Sequence, residues 1–206
     1  GYVFPKPLIE IDNKPMIQWV IESLHFNANY IFIIQKEHQE KYNIKSVLKI
    51  LQPNCKIIEL DHVTEGAACT TLLAKEFINN SDPLIIANSD QYINWNSSKA
   101  LYDFNSKNLD GAILTFEAIH PKWSYAKCND DGFVTEVAEK KVISKNATVG
   151  VYYWKHGSDY VQSAENMIKK NIRVNNEFYV CPVYNEFLLN DKKVKIHNVE
   201  KMWGLG

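Results

Sequence analysis

Arginine is almost missing from this 206-residue chain: of its 23 basic residues only Arg173 is arginine, the other 22 being lysine. An excess of charge of one sign is missing too. Lys+Arg 23 against Asp+Glu 24 leaves a net charge of -1, so no overall field draws the protein to nucleic acid or anionic lipid, and an anionic ligand has to be met by a local cluster. Cys55, Cys69, Cys128 and Cys181 are far apart. They form no C-x-x-C pair and have no histidine at zinc-ligand spacing, which suits the reduced thiols of a cytosolic protein. Long apolar runs are absent: Ile31-Phe32-Ile33-Ile34 and Leu84-Ile85-Ile86-Ala87 fall far short of the roughly 20 residues that cross a bilayer. The opening Gly1-Tyr2-Val3-Phe4-Pro5-Lys6-Pro7 lacks the basic-then-apolar order of a signal peptide. A cytoplasmic protein without membrane or nucleic-acid partners is therefore expected. What is present, 46% hydrophobic and 12% aromatic residues, is the composition of one globular domain over 1–206, not of a disordered, collagenous or coiled-coil chain.

Hydrophobic periodicity predicts a helix at 15–27, where Ile17, Val20, Ile21 and Leu24 share one stripe after Pro15. A buried strand at 30–35, a helix at 38–51, a strand at 56–60, a helix at 66–79 and a strand at 84–87 follow. Helix and strand in strict alternation predict an α/β fold with a mainly parallel sheet, whose ligands sit beyond the carboxyl ends of the strands. From Gly111 the strands come closer together, at 112–118, 132–137 and 148–154, as a mixed extension of that sheet. Helices at 157–170 and 177–189 and a strand at 193–199 complete the pattern. The chain thus divides into halves at 1–110 and 111–206. Such folds normally open on a central strand, whereas Phe4-Pro5-Lys6-Pro7 reads as extended chain that its prolines keep out of a sheet centre. A first strand is therefore expected to be missing, and the last residues, Trp203-Gly204-Leu205-Gly206, read as mid-loop.

Asp90 directly follows the strand at 84–87, at the carboxyl edge of the sheet. There it serves either as a turn residue or as a ligand for Mg2+ beside substrate phosphates. Lys6, stiffened by flanking prolines, is either a phosphate binder or a solvated lysine, and Lys14 shares that ambiguity. The small residues of Thr64-Glu65-Gly66-Ala67-Ala68 would let a ring approach the backbone, or simply begin a helix. Glu139-Lys140-Lys141 offers a carboxylate for hydroxyls beside ammoniums for a phosphate, or an exposed charge cluster. Tyr152-Tyr153-Trp154 reads as core on alternate faces of a strand. No histidines pair at ligand spacing and no nucleophile elbow occurs, so covalent catalysis and zinc chemistry rank low.

The order of these pieces is more specific than any one of them. Pro5-Lys6-Pro7-Leu8-Ile9 and Lys14-Pro15-Met16-Ile17 come first, then Glu65-Gly66-Ala67-Ala68, Asn88-Ser89-Asp90 and Glu139-Lys140. Gly150-Val151-Tyr152, Asn176-Glu177-Phe178-Tyr179 and Trp203-Gly204-Leu205-Gly206 follow. Over essentially its whole length the chain resembles the sugar-1-phosphate nucleotidyltransferases, or NDP-sugar pyrophosphorylases, of the surface-polysaccharide type. The resemblance implies a Rossmann-like three-layer nucleotidyltransferase fold, related to that of GT-A glycosyltransferases. It also implies transfer of a nucleotidyl group from a nucleoside triphosphate to a sugar 1-phosphate, with release of pyrophosphate. By motif position, Lys6 would contact the triphosphate, and Glu65, Gly66 and Ala67 would line the base pocket. Asp90 would ligate Mg2+, Glu139 and Lys140 would hold the sugar and its phosphate, and Gly150 and Glu177 would border the sugar pocket. Such chemistry needs positioning and charge neutralisation rather than a protein nucleophile.

Two departures stand out. The family's Gly-rich loop and catalytic arginine lie N-terminal to the P-K-P motif, where this sequence has not yet begun, so the chain as given is expected to be poorly active. Where many members close on W-x-D, this chain has Gly204-Leu205-Gly206, so a second metal would need another ligand. A GT-A glycosyltransferase and an inactive nucleotide-binding domain are the alternatives, and a phosphocholine-like acceptor is an alternative to the sugar phosphate. Association with a second copy through exposed helices is also expected.

Overall fold

Alternating apolar residues decide which way each strand faces. In the computed structural model, which describes residues 4–204, Lys6–Leu8 form a single 3-10 turn. The expected extended segment is therefore coiled, with Pro7 at a position in the turn where its fixed φ fits. A minimal hairpin follows, β1 (Glu10–Ile11) with β2 (Lys14–Pro15), turning at Asp12 and Asn13, both with positive φ.

The predicted alternation then appears as α1 (Met16–Leu24), β3 (Ile31–Gln35), α2 (Lys36–Tyr42), α3 (Ile44–Leu51), β4 (Lys56–Leu60), α4 (Ala67–Leu72), α5 (Lys75–Ile78) and β5 (Leu84–Ala87). The single helices expected at 38–51 and 66–79 are each divided. Asn43 sits in the left-handed region at φ 49 and ends α2 while preceding α3, a conformation asparagine tolerates better than most residues. Next come β6 (Gln91–Asn94), α6 (Ser97–Ser106), β7 (Gly111–Glu117), β8 (Ser124–Cys128), β9 (Val134–Glu139) and β10 (Asn146–Trp154). The chain continues through α7 (Gly157–Lys169), α8 (Val183–Leu188), β11 (Val194–Asn198) and β12 (Lys201–Gly204). Helix α8 is much shorter than the predicted 177–189, because Asn175 and Asn176 take positive φ and Pro182 caps the helix start.

Strands β3 and β4 pair in parallel, as do β7 and β11, while β10 runs antiparallel to β5, β7 and β8. The result is the mixed sheet of an α/β fold. Successive residues of its strands enter two separate cores. In β10, Val149, Val151 and Tyr153 face the helices α1, α3 and α6, whereas Tyr152 and Trp154 face α4, α5, α7 and α8. The β3–β4 pair obeys the same alternation into the same two cores, with Phe32 and Ile57 on one side and Ile33 and Ile58 on the other. It therefore continues the middle layer. Among the described residues, β3 has no strand partner except β4, and β5 none except β10, and Ile31, Ile33, Leu84 and Ile86 along these edges are only half-buried.

One irregularity governs the site. Strand β7 accompanies β10 along its length, but on the other flank β5 pairs Val151 to Trp154 whereas β8 pairs Ala147. The register slips between Thr148 and Tyr152, around Gly150 at φ +76. Such a bulge bends the strand and interrupts pairing, so the sheet parts between the end of β5 and the start of β8.

Trp154 anchors the second core, stacked on Tyr184 at 4.1 Å between ring centroids and packed edge-on against Tyr160. Its buried indole N–H has no hydrogen-bond partner. Trp154→Ala should destabilise the fold by about 3–5 kcal/mol, read as a lower urea midpoint. Trp154→Phe should cost less, since it also deletes an unpaired donor; an unchanged midpoint for the alanine variant would remove Trp154 from the core.

Candidate active site

Where the sheet parts there is a cavity of about 550 Å³, with Gly150 in its wall. Its first side is built by the turn after β5. Asn88 donates its backbone N–H to the Gly150 carbonyl at 2.9 Å, and the Gln91 amide reaches the same carbonyl at 3.4 Å. A Cβ on Gly150 would lie 2.3 Å from the side-chain amide nitrogen of the exposed Asn88, a group that can turn aside, so it is the positive φ that calls for glycine here. The turn so fixed presents Asp90, half-buried, into the cavity. The 3-10 turn presents Lys6 opposite it, with Nζ 3.6 Å from Asp90 Oδ2. That distance is a loose, solvent-screened ion pair, open to replacement by a phosphate on the lysine and a cation on the carboxylate.

The second side comes from β8, β9 and the loop before α8. Ser124 Oγ donates to Glu139 Oε2. Burial pushes the Glu139 carboxyl above the usual carboxylate range, while the Ser124 hydroxyl and the Lys140 ammonium pull it back down. Lys140 follows at the end of β9 with φ 53. This left-handed turn sends its side chain away from Glu139, to donate to the Tyr179 hydroxyl at 2.6 Å. Tyr179 and Lys122 also line the cavity. The floor carries the buried hydroxyls of Thr148 and Tyr152, 3.1 Å apart, and the buried Cys181 thiol, whose pKa burial pushes up.

Lys6, Ala67, Asp90, Glu139, Lys140 and Gly150 thus meet in one cavity. Glu65, Gly66 and Glu177 stand outside its lining. The Glu65 carboxylate is turned to Arg173 at 2.5 Å, Gly66 is pressed on the backbone of Phe178, and Glu177 is an exposed partner of the Tyr179 hydroxyl beside Lys140. Lys14 lies elsewhere, paired with Glu22 at 2.8 Å. Gly204 reaches the cavity because β12 pairs with β6, but Leu205 and Gly206 of the closing motif lie outside the described residues.

Lys122, Trp123, Ser124 and Tyr179 escaped sequence reasoning. Lys122 and Trp123 lie in the turn before, and Ser124 begins, a short strand, Ser124–Cys128, that has little apolar signal of its own and is recognisable by its pairing with β9. Among the described residues no three histidine, cysteine or carboxylate side chains converge as a metal cage. A single open carboxylate, Asp90, is nevertheless a donor set that fits Mg2+, which is held mainly through substrate phosphates and water.

The sequence profile of the nucleotidyl transferase family matches residues 2–195. The bifunctional protein GlmU of Thermosipho melanesiensis is 26% identical over 209 residues, covering 98% of this chain and 44% of that protein. A mannose-1-phosphate guanyltransferase of Aspergillus oryzae is 25% identical over 169 residues, covering 72% of this chain and 43% of that protein. The chain therefore spans less than half of these curated relatives. The crystal structure of a nucleoside-diphosphate-sugar pyrophosphorylase from Vibrio cholerae RC9 shares the fold with a TM-score of 0.84 at 21% identity, over 100% of this chain and 88% of that one. The profile match over nearly the whole length, on a fold that parts its sheet to form this cavity, shows that the chain belongs to the nucleotidyl transferase family.

Proposed function

We propose that the protein transfers a nucleotidyl group from a nucleoside triphosphate to a sugar 1-phosphate and releases pyrophosphate, supplying an activated sugar for surface polysaccharide. The observation that carries this reading is a single cavity with Lys6 and Asp90 on one side and Glu139 and Lys140 on the other. Residues 1–110 then supply the triphosphate side, with the 64–67 turn against the base, and residues 111–206 the acceptor side. An acceptor phosphate oxygen attacks the α-phosphorus, a new P–O bond forms, and the bond to the β-phosphate oxygen breaks. The attacking oxygen is already anionic, so no general base is needed. Lysine point charges at positions 6, 122 and 140 neutralise the phosphates and hold them in line. Mg2+, held by Asp90 and phosphate oxygens, would supply further charge neutralisation when bound.

The acceptor side suits a sugar rather than a choline phosphate. Trp123 has Lys122 over its ring at 4.6 Å and Tyr179 has Lys140 at 4.7 Å, cations that oppose a quaternary ammonium there whether they stay on the rings or turn to a phosphate. The Glu139 carboxylate and the hydroxyls of Ser124, Thr148 and Tyr152 match a ligand rich in hydroxyl groups.

Pyrophosphate release by the full-length protein should require one triphosphate together with one sugar 1-phosphate. Release supported only by phosphocholine, or by no acceptor at all, would overturn the reading. Asp90→Asn should lower kcat by about a hundredfold or more without moving the melting temperature, and Lys6→Ala should raise KM for the triphosphate by about tenfold or more. Because Glu139 titrates above an ordinary carboxylate, KM for the acceptor should be flat at high pH and climb as pH falls through that raised pKa. Glu139→Gln should flatten this limb; a limb that persists belongs to another group.

A further inference from the structure

The one arginine among these 206 residues, Arg173, lies outside the cavity lining, yet it joins the two loops that wall it. Val174 and Glu177 exchange backbone hydrogen bonds across a two-residue turn in which Asn175 and Asn176 both have positive φ, a tight hairpin of the primed type. Arg173 leaves this hairpin and lays its guanidinium 4.1 Å from the centre of the Phe178 ring. Its Nε donates to Asn171 Oδ1 at 2.6 Å, and one terminal nitrogen reaches Glu65 Oε2 at 2.5 Å and the Asn176 carbonyl at 3.2 Å. Beneath this contact the backbones are joined. The Phe178 N–H donates to the Glu65 carbonyl at 2.8 Å, and the Ala68 N–H donates to the Phe178 carbonyl at 2.9 Å. Gly66, between them, has φ +128 and would place a Cβ 2.5 Å from the Phe178 nitrogen and oxygen.

We infer that Arg173 is a positioning residue that fastens the 64–68 turn to the 176–181 segment, so that nucleotide and acceptor sugar phosphate bind one unit and each strengthens the other. The inference rests on the proposed function of the cavity. Ala67 faces the cavity from the first loop and Tyr179, the partner of Lys140, from the second. A nucleotide resting on the first orders the second through Phe178, and an acceptor phosphate drawn to Lys140 orders the first. The ordering cost is met once rather than twice, which is positive coupling by linkage. Lysine at position 173 would retain the charge opposite Glu65 but not the planar face on Phe178 or the second set of donors.

The test is a binding measurement on the full-length protein with the α,β-methylene analogue of the triphosphate that supports pyrophosphate release. Its affinity is determined calorimetrically with and without the matching sugar 1-phosphate. In the unsubstituted protein the acceptor should tighten the analogue by on the order of tenfold. In Arg173→Ala that factor should fall to near one, with KM raised for both substrates and kcat little changed, and Arg173→Lys should restore it in part. Glu65→Ala removes the same contact from the other loop and serves if Arg173→Ala does not fold. A purely structural role would lower the melting temperature and leave the coupling factor intact, which would overturn the inference. So would analogue binding that ignores the acceptor in the unsubstituted protein. A protein that binds no triphosphate overturns the proposed function as well, which separates the two failures.

Discussion

The bend of β10 at Gly150 is the constraint on which the rest of the site depends. One strand has to serve two neighbours on the same flank, β8 with its first half and β5 with its second. A straight strand would carry an unbroken ladder there and leave no room for a ligand. The left-handed conformation of Gly150 breaks that ladder, and the carbonyl it exposes is taken by Asn88 and Gln91. The same residue thus opens the cavity and ties down the turn that carries Asp90. Its backbone geometry, at φ +76, can be adopted cheaply only by glycine.

Electrostatics at this opening are built from separated point charges. Lys6 and Asp90 hold each other loosely, and Lys140 is turned aside to Tyr179. Glu139 is the exception, half-buried and fastened by Ser124. Weakly paired lysines can be redirected to phosphates at little cost, because exposed ion pairs contribute little to stability. A half-buried carboxylate already fixed by a hydroxyl keeps its orientation when a ligand arrives. The two kinds of group suit the two parts of the proposed acceptor: loosely held cations for its anionic end, a fixed acceptor for its hydroxyls.

Much of the architecture was legible before any coordinate. The stripe in α1 and the apolar runs of β3, β5 and β10 carry strong signals, and all of these elements occur. The side-chain pattern predicts one continuous helix over 38–51, because nothing in it reports that Asn43 leaves the right-handed region. The segment 177–182, expected as the start of the last helix, is a loop, held open by Asn175, Asn176 and backbone bonds to Glu65 and Ala68 that lie over a hundred positions away in sequence.

The sequence by itself determined the layer order and the identity of the chemical groups, since periodicity records which face of each element avoids water and motif order records kinship. Lys6, Ala67, Asp90, Glu139, Lys140 and Gly150, chosen from motifs, all meet at one opening. Only the tertiary structure decided that Glu65 turns outward to Arg173, that Ser124 clasps Glu139, and that Lys122 and Lys140 cover the faces of Trp123 and Tyr179. Those contacts join residues from 15 to more than 100 positions apart, apart from the neighbours Lys122 and Trp123. They depend on where a bent strand and two hydrogen-bonded loops place their side chains, which is a property of packing in space and leaves no periodic trace along the chain.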